Sequence, residues 1–181
     1  MSNHWITCYL GLGSNLANEL GSPIEHLQQA LLSLEQHQDI RELRVSSYYA
    51  SAPMGPQDQP DFINAVVEIK TTLAPLALLA LCQQLEKQAQ RERVRRWGER
   101  SLDVDILLYG QQQIDEPALI VPHAGLHERN FMLVPLRELA PEKVMQFSSF
   151  SKLIGPGPRL GYVIGPQNLL KEIAREAENN Y

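Results

Sequence analysis

The sequence is poor in cysteine and aromatic residues, and it contains no long apolar run. The two cysteines, Cys8 and Cys82, lie within apolar stretches without a partner motif, so we expect buried free thiols and no disulfide framework. No uninterrupted apolar stretch approaches the length of a membrane span, and none near Met1 resembles a signal peptide. These absences favour a cytoplasmic protein that does not associate with membranes.

Positive charge is scarce overall but concentrated in one segment. The 181 residues carry a formal net charge of −5, which disfavours a protein that coats nucleic acid. Residues 91–100 nevertheless hold five arginines against Glu92 and Glu99, a local charge of +3 that leaves −8 for the remainder. Such a basic segment in an acidic chain is either an exposed, solvated loop or a binding site for phosphates, and the arginines alone do not distinguish the two.

The apolar pattern predicts an α/β domain. Hydrophobic residues make up 44% of the chain and charged residues 20%, which excludes disordered and low-complexity classes. Ser22 and Pro23 are typical of a helix start, and residues 52–61, with three prolines, predict a loop. The predicted elements are a strand at 6–13, a helix from 23, strands at 43–49 and 62–71, a helix at 75–90 and a strand at 102–109. This order is that of the ferredoxin-like βαββαβ sandwich, an antiparallel sheet with helices packed on it.

The C-terminal part differs in texture from the rest. Residues 131–139 predict a short helix, bent or stopped by Pro135, and residues 167–179 predict a polar helix. Between them the sequence becomes rich in serine, glycine and proline. We therefore expect a main domain at 1–146 and a C-terminal extension at 147–181, in a monomeric protein.

Two aspartates carry the sharpest chemical signal. On the predicted strand 102–109, Asp103 and Asp105 project to one side while Val104 faces the other. Side-by-side carboxylates repel each other unless a cation lies between or beside them. One interpretation is a solvated sheet face on which each aspartate pairs with an arginine. The other is a site in which the carboxylates hold Mg²⁺ and the arginines of residues 91–100 bind phosphates. The two features together favour the second interpretation.

Two other motifs are incomplete. Gly11 and Gly13 lack the third glycine of a dinucleotide fingerprint and the lysine of a P-loop. His123 and His127 are four residues apart, but the glutamate of an HExxH zinc motif is missing, which disfavours a zinc site. His123 is expected instead as a hydrogen-bonding group at the rim of a site.

Four segments in a fixed order resemble one enzyme family. They are GLGSNL at 11–16, GPQDQPDFINAV at 55–66, RWGERSLDVDILLYG at 96–110 and VPHAGLHERNFML at 121–133. On these segments the chain, from about Tyr9 to Glu142, resembles the 6-hydroxymethyl-7,8-dihydropterin pyrophosphokinases of folate biosynthesis. The resemblance implies a ferredoxin-like α/β fold. It also implies transfer of a pyrophosphoryl group from ATP to the pterin's hydroxymethyl oxygen, with release of AMP.

The resemblance further implies roles for individual residues. Two Mg²⁺ ions that bridge the triphosphate of the co-substrate ATP would be held by Asp103 and Asp105. Catalytic roles are implied for Arg91, Arg100, Asp103 and Asp105. ATP contacts are implied for Gln83, Glu86, Arg91, Arg93, Trp97, Arg100, His123 and Arg129. Pterin contacts are implied for Ser51, Ala52, Met54, Phe62, Asn64, Trp97, Asp103 and Phe131.

The residue types suit these roles, and the chain also departs from the family pattern. Phe62 and Phe131 would stack on the pterin ring, and the amide of Asn64 would hydrogen-bond its edge. The loop 52–61 and the arginine-rich segment are expected to close over the substrates and exclude water. Glu99 stands where the family usually has proline, and Ala124 where some members have a tyrosine near the nucleotide. The stretch before Trp97 is slightly shorter than in some relatives.

Residues 148–165 resemble a different family. The segment SSFSKLIGPGPRLGYVIG is similar to the cofactor-lysine segment of fold-type I pyridoxal-phosphate aminotransferases, with Lys152 at the Schiff-base position and Arg159 at the phosphate. Such enzymes also need a partner for the pyridine nitrogen and a ring above it, and nothing upstream resembles these parts. Lys152 is therefore interpreted as a surface lysine, and no pyridoxal phosphate is expected. A ferredoxin-like RNA-binding module is a further alternative, but it needs a basic sheet face with aromatic stacking residues.

Overall fold

The computed structural model describes residues 4–92, 95, 97–149 and 161–179. The strands are β1 (Ile6–Ser14), β2 (Ile40–Val45), β3 (Tyr49–Ser51), β4 (Phe62–Thr71), β5 (Asp103–Tyr109), β6 (Ile114–Glu116), β7 (Leu119–Val121), β8 (Gln146–Ser149) and β9 (Gly161–Ile164). The helices are α1 (Pro23–Glu35), α2 (Pro75–Gln88), α3 (Asn130–Leu139) and α4 (Gln167–Asn179), with short 3₁₀ turns at Leu126–Glu128 and Pro141–Lys143. No helix in these ranges is both long and apolar enough to cross a bilayer.

The main sheet confirms the predicted ferredoxin-like fold. Its strand order is β2-β4-β1-β5, every pairing is antiparallel, and β3 pairs with the start of β4. Helix α1 connects β1 to β2, and α2 connects β4 to β5, so each helix crosses over one intervening strand. This is the split βαβ arrangement expected from the element order.

Apolar side chains fill both faces of the sheet. On one face, α1 and α2 pack through residues such as Leu27, Leu34 and Leu78 against buried residues of β1, β4 and β5. On the other face, α3 packs through Met132 and Leu136 in a smaller cluster. Strands covered on both sides are nearly continuous in apolar residues, which explains the apolar run of β1.

The helix starts follow from local sequence. The Ser22 hydroxyl accepts a hydrogen bond from the Glu25 backbone N–H, and the Glu25 carboxylate accepts one from the Ser22 backbone N–H at 2.7 Å, forming a capping box. Pro23 occupies the first turn of α1 and Pro75 that of α2, where a missing N–H costs no helical hydrogen bond. The predicted helix start at Pro23 is confirmed.

The predicted strand at 43–49 is wrong in its bounds. The structure has β2 at Ile40–Val45 and a separate β3 at Tyr49–Ser51, both paired with β4. Between them the Ser46 hydroxyl accepts the hydrogen bond of the Val66 backbone N–H, at 3.0 Å, and so replaces a backbone partner in the ladder. The Ser47 backbone N–H leaves the sheet and donates to the Glu138 carboxylate of α3 at 3.0 Å. Side-chain competition therefore divides the predicted strand in two.

The helix predicted at 131–139 is not stopped by Pro135. Helix α3 runs through this proline to Leu139 and ends before Pro141. Pro135 and Leu136 are both buried, and this packing offsets the single hydrogen bond to the Phe131 carbonyl that a proline cannot make. The short β6–β7 hairpin was not predicted.

The C-terminal residues are described in part. Strands β8 and β9 pair as an antiparallel hairpin, and α4 follows at the bounds predicted for the polar helix. Lys152 and Arg159 lie outside the described residues. Further upstream, Cys8 and Cys82 are buried free thiols, as predicted, and burial raises the pKa of each.

Candidate active site

Two cavities open side by side at the start of β5. The first, called the aromatic cavity, has a volume of about 240 Å³. It is lined by Gly13, Ser51, Ala52, Met54, Gly55, Phe62, Asn64, Trp97, Arg100, Asp103, Asp105, Arg129, Phe131 and Met132. The second, called the basic cavity, has a volume of about 560 Å³. It is lined by Leu79, Gln83, Glu86, Arg91, Arg95, Trp97, Arg100, Asp103, Val104, Asp105, His123 and Arg129.

The cavities share one wall. The residues common to both are Trp97, Arg100, Asp103, Asp105 and Arg129. Alternation along β5 explains the two carboxylates, since Val104 and Ile106 are buried in the larger apolar cluster while the aspartates project to the other side of the strand. A molecule in either cavity would therefore lie against the same pair of carboxylates.

Each aspartate of this wall is paired with cationic side chains. Asp103 accepts from Arg91 Nη1 at 2.7 Å through one oxygen and from Arg100 Nη1 at 2.8 Å through the other. Asp105 Oδ2 lies 3.1 Å from Arg129 Nη1 and 3.5 Å from His123 Nε2. The arginine pairing of the first interpretation is thus present, but it lies at the junction of two cavities and not on an open sheet face.

Burial shapes the electrostatics of this wall. Desolvation, together with the neighbouring carboxylate of Asp103, raises the pKa of Asp105, while His123 and Arg129 act in the opposite direction. Desolvation also raises the pKa of Glu86. Partly buried carboxylates with raised pKa values gain from an additional cation nearby, because the cation favours their charged form.

Glu86 ties α2 to the arginines and to β5. Its Oε1 accepts a hydrogen bond from the Val104 backbone N–H at 2.9 Å and also contacts Arg91 Nη1. Arg91 in turn reaches Asp103, so one guanidinium bridges two acidic side chains. The position of Arg91 is therefore fixed from two elements of the fold.

The aromatic cavity combines two rings with a buried amide. Phe62 begins β4, Asn64 lies two residues further on the same strand, and Phe131 lies in the first turn of α3. Asn64 is only 1% exposed, and its Nδ2 donates to Ser51 Oγ at 2.9 Å. Because β3 supplies this acceptor, the break between β2 and β3 helps to fix the orientation of the amide. An Arg100 guanidinium carbon lies 5.9 Å from the Phe62 ring centroid.

The structure brings nearly all of the predicted site residues together. Every residue predicted for the pterin lines the aromatic cavity. Those predicted for ATP line the basic cavity, except Arg93, which lies outside the described residues. The loop 52–61 contributes Met54 and Gly55, and the arginine-rich segment contributes Arg95 and Trp97. The role of each individual residue stays a prediction.

Sequence reasoning missed a buried asparagine that supports both loops. Asn15 is 3% exposed and its Nδ2 donates to Gln59 Oε1 at 3.1 Å and to the Pro60 carbonyl at 2.9 Å. Its Oδ1 accepts from the Arg100 backbone N–H at 2.9 Å. Its place in the GLGSNL segment was the available signal, although that segment alone does not say which side chain turns inward.

The second histidine of the incomplete zinc motif lies away from this wall. His127 is exposed and its Nε2 lies 3.5 Å from Glu128 Oε1. Across the described ranges, no group of three or more histidine, cysteine, aspartate or glutamate residues is arranged to hold a metal ion. Asp103 and Asp105 are the carboxylates that both cavities share.

Comparisons with known proteins place the sequence in a family. The family model of 7,8-dihydro-6-hydroxymethylpterin-pyrophosphokinase (HPPK) matches residues 9–141. A relative from Haemophilus influenzae is 48% identical over 140 residues, which cover 77% of this chain and 85% of that protein. Relatives from Pseudomonas aeruginosa and Bacillus subtilis are 48% and 44% identical over 134 residues, covering 74% of this chain and 80% and 78% of those proteins. All three are named 2-amino-4-hydroxy-6-hydroxymethyldihydropteridine pyrophosphokinase. Because the family model matches well over half of its length and the matches cover 78–85% of these relatives, the chain belongs to the HPPK family.

Proposed function

We propose that this chain transfers the pyrophosphoryl group of ATP to the hydroxymethyl oxygen of 6-hydroxymethyl-7,8-dihydropterin, giving the pterin diphosphate and AMP in folate biosynthesis. Its family and the names of its relatives support this activity. The observation that carries the assignment of roles is the wall shared by an aromatic and a basic cavity. A flat heterocycle in the aromatic cavity and a polyphosphate in the basic cavity would both contact this wall.

The aromatic cavity is proposed to hold the pterin. Phe62 and Phe131 offer two rings between which a planar heterocycle can stack, worth about 0.5–1.5 kcal/mol per aromatic pair beyond burial. The Nδ2 group of Asn64 is already engaged by Ser51, so its carbonyl oxygen is the group left to accept a hydrogen bond from the ring edge. Trp97 and Met54 would cover the open side.

The basic cavity is proposed to hold the triphosphate of ATP. Arg91, Arg100 and Arg129 line it, and His123 adds a hydrogen-bonding group. Planar guanidinium groups match phosphate oxygens in pairs, and charge stabilisation of this kind dominates phosphoryl transfer. Gln83 lies on α2 and Glu86 one helical turn further, where they would contact the nucleotide.

The donor set of the shared wall fits Mg²⁺. The ion usually takes one or two protein carboxylates and completes its shell with water and substrate phosphate oxygens. Asp103 and Asp105 are two such carboxylates, held side by side in a partly buried site where a cation relieves their repulsion. When bound, two such ions would neutralise charge on the phosphate oxygens, and Asp103 and Asp105 are the residues that would hold them.

The bond changes follow from the products. The hydroxymethyl oxygen bonds to the β-phosphorus of ATP, the bond from that phosphorus to the α-phosphate oxygen breaks, and AMP leaves as the hydroxyl loses its proton. Arginine side chains such as Arg91 and Arg100 bind the transferred group and stabilise its charge as these bonds exchange. Water would compete with the pterin as acceptor, so the loop 52–61 and the arginine-rich segment are proposed to exclude it. The protein is proposed to act as a cytoplasmic monomer, without nucleic-acid or membrane partners.

The alternatives of other classes have less support. An RNA-binding module would present stacking aromatics on a basic sheet face, whereas here acidic residues of β5 line the site. A pyridoxal enzyme would depend on Lys152, which lies outside the described residues.

One assay tests the proposed reaction. Purified protein is incubated with Mg-ATP and 6-hydroxymethyl-7,8-dihydropterin, and nucleotide products are separated. AMP formed in equal amount to pterin diphosphate is the expected result. ADP would indicate simple phosphorylation and would refute the mechanism, and the reaction without pterin is the control for ATP hydrolysis. An absorbance spectrum taken with added pyridoxal phosphate is expected to show no internal-aldimine band.

A further inference from the structure

Two loops that border the cavities are joined by three charged side chains. Arg95 Nη1 and Nη2 donate to the two carboxylate oxygens of Asp58, at 3.1 and 3.0 Å, in a two-point contact. Arg95 Nη2 also donates to Glu99 Oε2 at 3.1 Å. Asp58 belongs to the loop 52–61 and the other two to the arginine-rich segment, so the contact crosses from one loop to the other. We call these three residues the clasp.

Further contacts join the loops at Trp97. Gln59 Nε2 donates to the Trp97 carbonyl at 2.9 Å. A β-carbon built on Gly55 would lie 2.6 Å from Trp97 Cβ and 2.9 Å from its carbonyl oxygen, so only glycine permits this approach. The clasp therefore lies beside a direct contact between the loop 52–61 and the tryptophan that lines both cavities.

The backbone of Trp97 needs such support. Its φ angle is +62°, in the left-handed region that a non-glycine residue adopts only at a cost in free energy. A conformation of this kind persists where the surroundings over-determine it. Arg95 and Glu99 lie two residues before and after Trp97, and both are anchored to each other and, through Arg95, to Asp58. The clasp thus brackets the strained residue.

Asn15 joins the same two loops through a second set of hydrogen bonds. Asn15 binds Gln59 and Pro60 on one side and the Arg100 backbone on the other. The clasp lies next to these contacts in sequence, since Asp58 precedes Gln59 and Glu99 precedes Arg100. Arg95 and Glu99 are 36% exposed, and Asp58 is 69% exposed, so the clasp lies at the surface and is open to screening by salt.

We infer that Asp58, Arg95 and Glu99 position Trp97 at the junction of the two cavities. The inference rests on the proposed function for its kinetic test, and it makes Arg95 a positioning residue although it lines the basic cavity. Its guanidinium binds two carboxylates of the loops, Asp58 and Glu99, whereas Arg91 is paired with acidic groups of the cavity wall itself. Glu99 stands where the family usually has proline, which has no carboxylate. The contact between Arg95 and Glu99 therefore depends on this departure from the family pattern.

The inference predicts a specific kinetic pattern. Removing the clasp lowers the fraction of molecules in which Trp97 lies at the junction of the two cavities. The apparent dissociation constant of each substrate rises as that fraction falls. Asp58→Asn and Arg95→Gln should each raise KM for pterin and for ATP by the same factor, about two- to five-fold, as expected for an exposed but two-point ion pair. The value of kcat should change less.

A double-mutant cycle separates the clasp from a direct role of Arg95. The double variant Asp58→Asn/Arg95→Gln should be no worse than either single variant. Asp61→Asn, which removes an exposed carboxylate from the same loop, is the matched control and should leave both KM values unchanged. High salt should raise the wild-type KM values towards those of the Asp58 variant. If Arg95→Gln raises KM for ATP alone, or if the effects of the two substitutions add, Arg95 acts on the nucleotide and the inference is wrong.

A fluorescence measurement keeps the inference testable apart from the reaction. The chain contains two tryptophans, so Trp5→Phe leaves Trp97 as the single reporter. In that background, Asp58→Asn should lower the fluorescence anisotropy of Trp97, and Asp61→Asn should not. Thermal melting of each variant confirms folding. If the wild type makes no AMP but the anisotropy falls as expected, the proposed function fails and the clasp stands, whereas unchanged anisotropy and unchanged KM values overturn the clasp.

Discussion

Asn15 and Arg100 hold each other through both backbone and side chain. The Arg100 backbone N–H donates to Asn15 Oδ1 at 2.9 Å, and the Asn15 backbone N–H donates to the Arg100 carbonyl at 3.1 Å. This reciprocal pair joins the end of β1 to the residue that begins the acidic wall. Since Arg100 also donates to Asp103, the end of one strand determines where a cation of the site lies.

Asn15→Ala is expected to weaken both the fold and the site. The substitution leaves the Arg100 backbone N–H without its acceptor and frees Gln59 and Pro60, and an unsatisfied buried group costs about 1–3 kcal/mol. Chemical denaturation should show a fall of this size in the free energy of unfolding, and KM should rise for both substrates. Asn168→Ala, at an exposed position of α4, is the control and should change neither quantity. Unchanged stability would show that the Asn15 hydrogen bonds do not matter.

Asp105→Ala is expected to abolish turnover while the protein remains folded. The substitution removes a carboxylate proposed to hold Mg²⁺, and it also relieves the repulsion that raises the pKa of this group beside Asp103. AMP formation should fall below detection, while the melting temperature stays within a few degrees of the wild type, about 1 kcal/mol for a chain of this size. Asp115→Ala on β6 removes an exposed aspartate and should keep full activity. Near-normal turnover in the Asp105 variant would contradict its assignment.

The two cavities should respond separately to substitution. Phe131→Ala removes one ring of the aromatic cavity and should raise KM for the pterin about ten-fold, a loss of about 1.4 kcal/mol, with little change for ATP. Gln83→Ala, on the exposed side of α2, should raise KM for ATP and leave that for the pterin unchanged. Steady-state kinetics with each substrate varied in turn measures both effects. A reversed pattern would mean that the substrates occupy the opposite cavities.

His26 should make stability depend on pH. This side chain is 1% exposed between α1 and α2, and burial lowers its pKa below the ordinary value of 6.5. The neutral form is therefore the one that the folded protein accommodates, so its stabilising effect is complete above pH 6.5 and is lost as pH falls through the lower folded-state pKa.

The test compares His26→Leu with the wild type in melting experiments between pH 5 and pH 8. On acidification the melting temperature of the wild type should fall further than that of the variant. A loss of 1 kcal/mol in stability lowers the melting temperature of a chain of this size by about 2–4 °C. His127→Leu changes an exposed histidine and should follow the wild-type curve. Parallel curves for the wild type and the His26 variant would contradict the role of this group.

The fold was largely predictable because its elements have regular patterns. Continuous apolar residues in β1 and helical spacing in α1 report burial directly. The errors lie where side chains compete with the backbone. Nothing in the periodicity of residues 43–49 indicates that the Ser46 hydroxyl would replace a ladder partner or that Ser47 would bind Glu138 of a distant helix.

The site was predictable in its chemistry but not in its supports. Alternation places Asp103 and Asp105 on one side of a strand, and the family segments give the residues around them. Asn15 and the clasp depend on loops whose conformation has no period, and their partners are far apart in the chain: Arg95 is 37 residues from Asp58. Only the folded structure brings such pairs together.

The division of the apolar interior into two clusters has a consequence for heat inactivation. The smaller cluster is what holds α3 to the sheet, and the start of α3 carries Arg129 and Phe131, one for each type of substrate contact. Local opening of this helix would withdraw both groups while the larger cluster under α1 and α2 stayed intact. Activity should therefore be lost in a separate cooperative unfolding step, whose free energy is lower than the free energy of unfolding of the whole molecule.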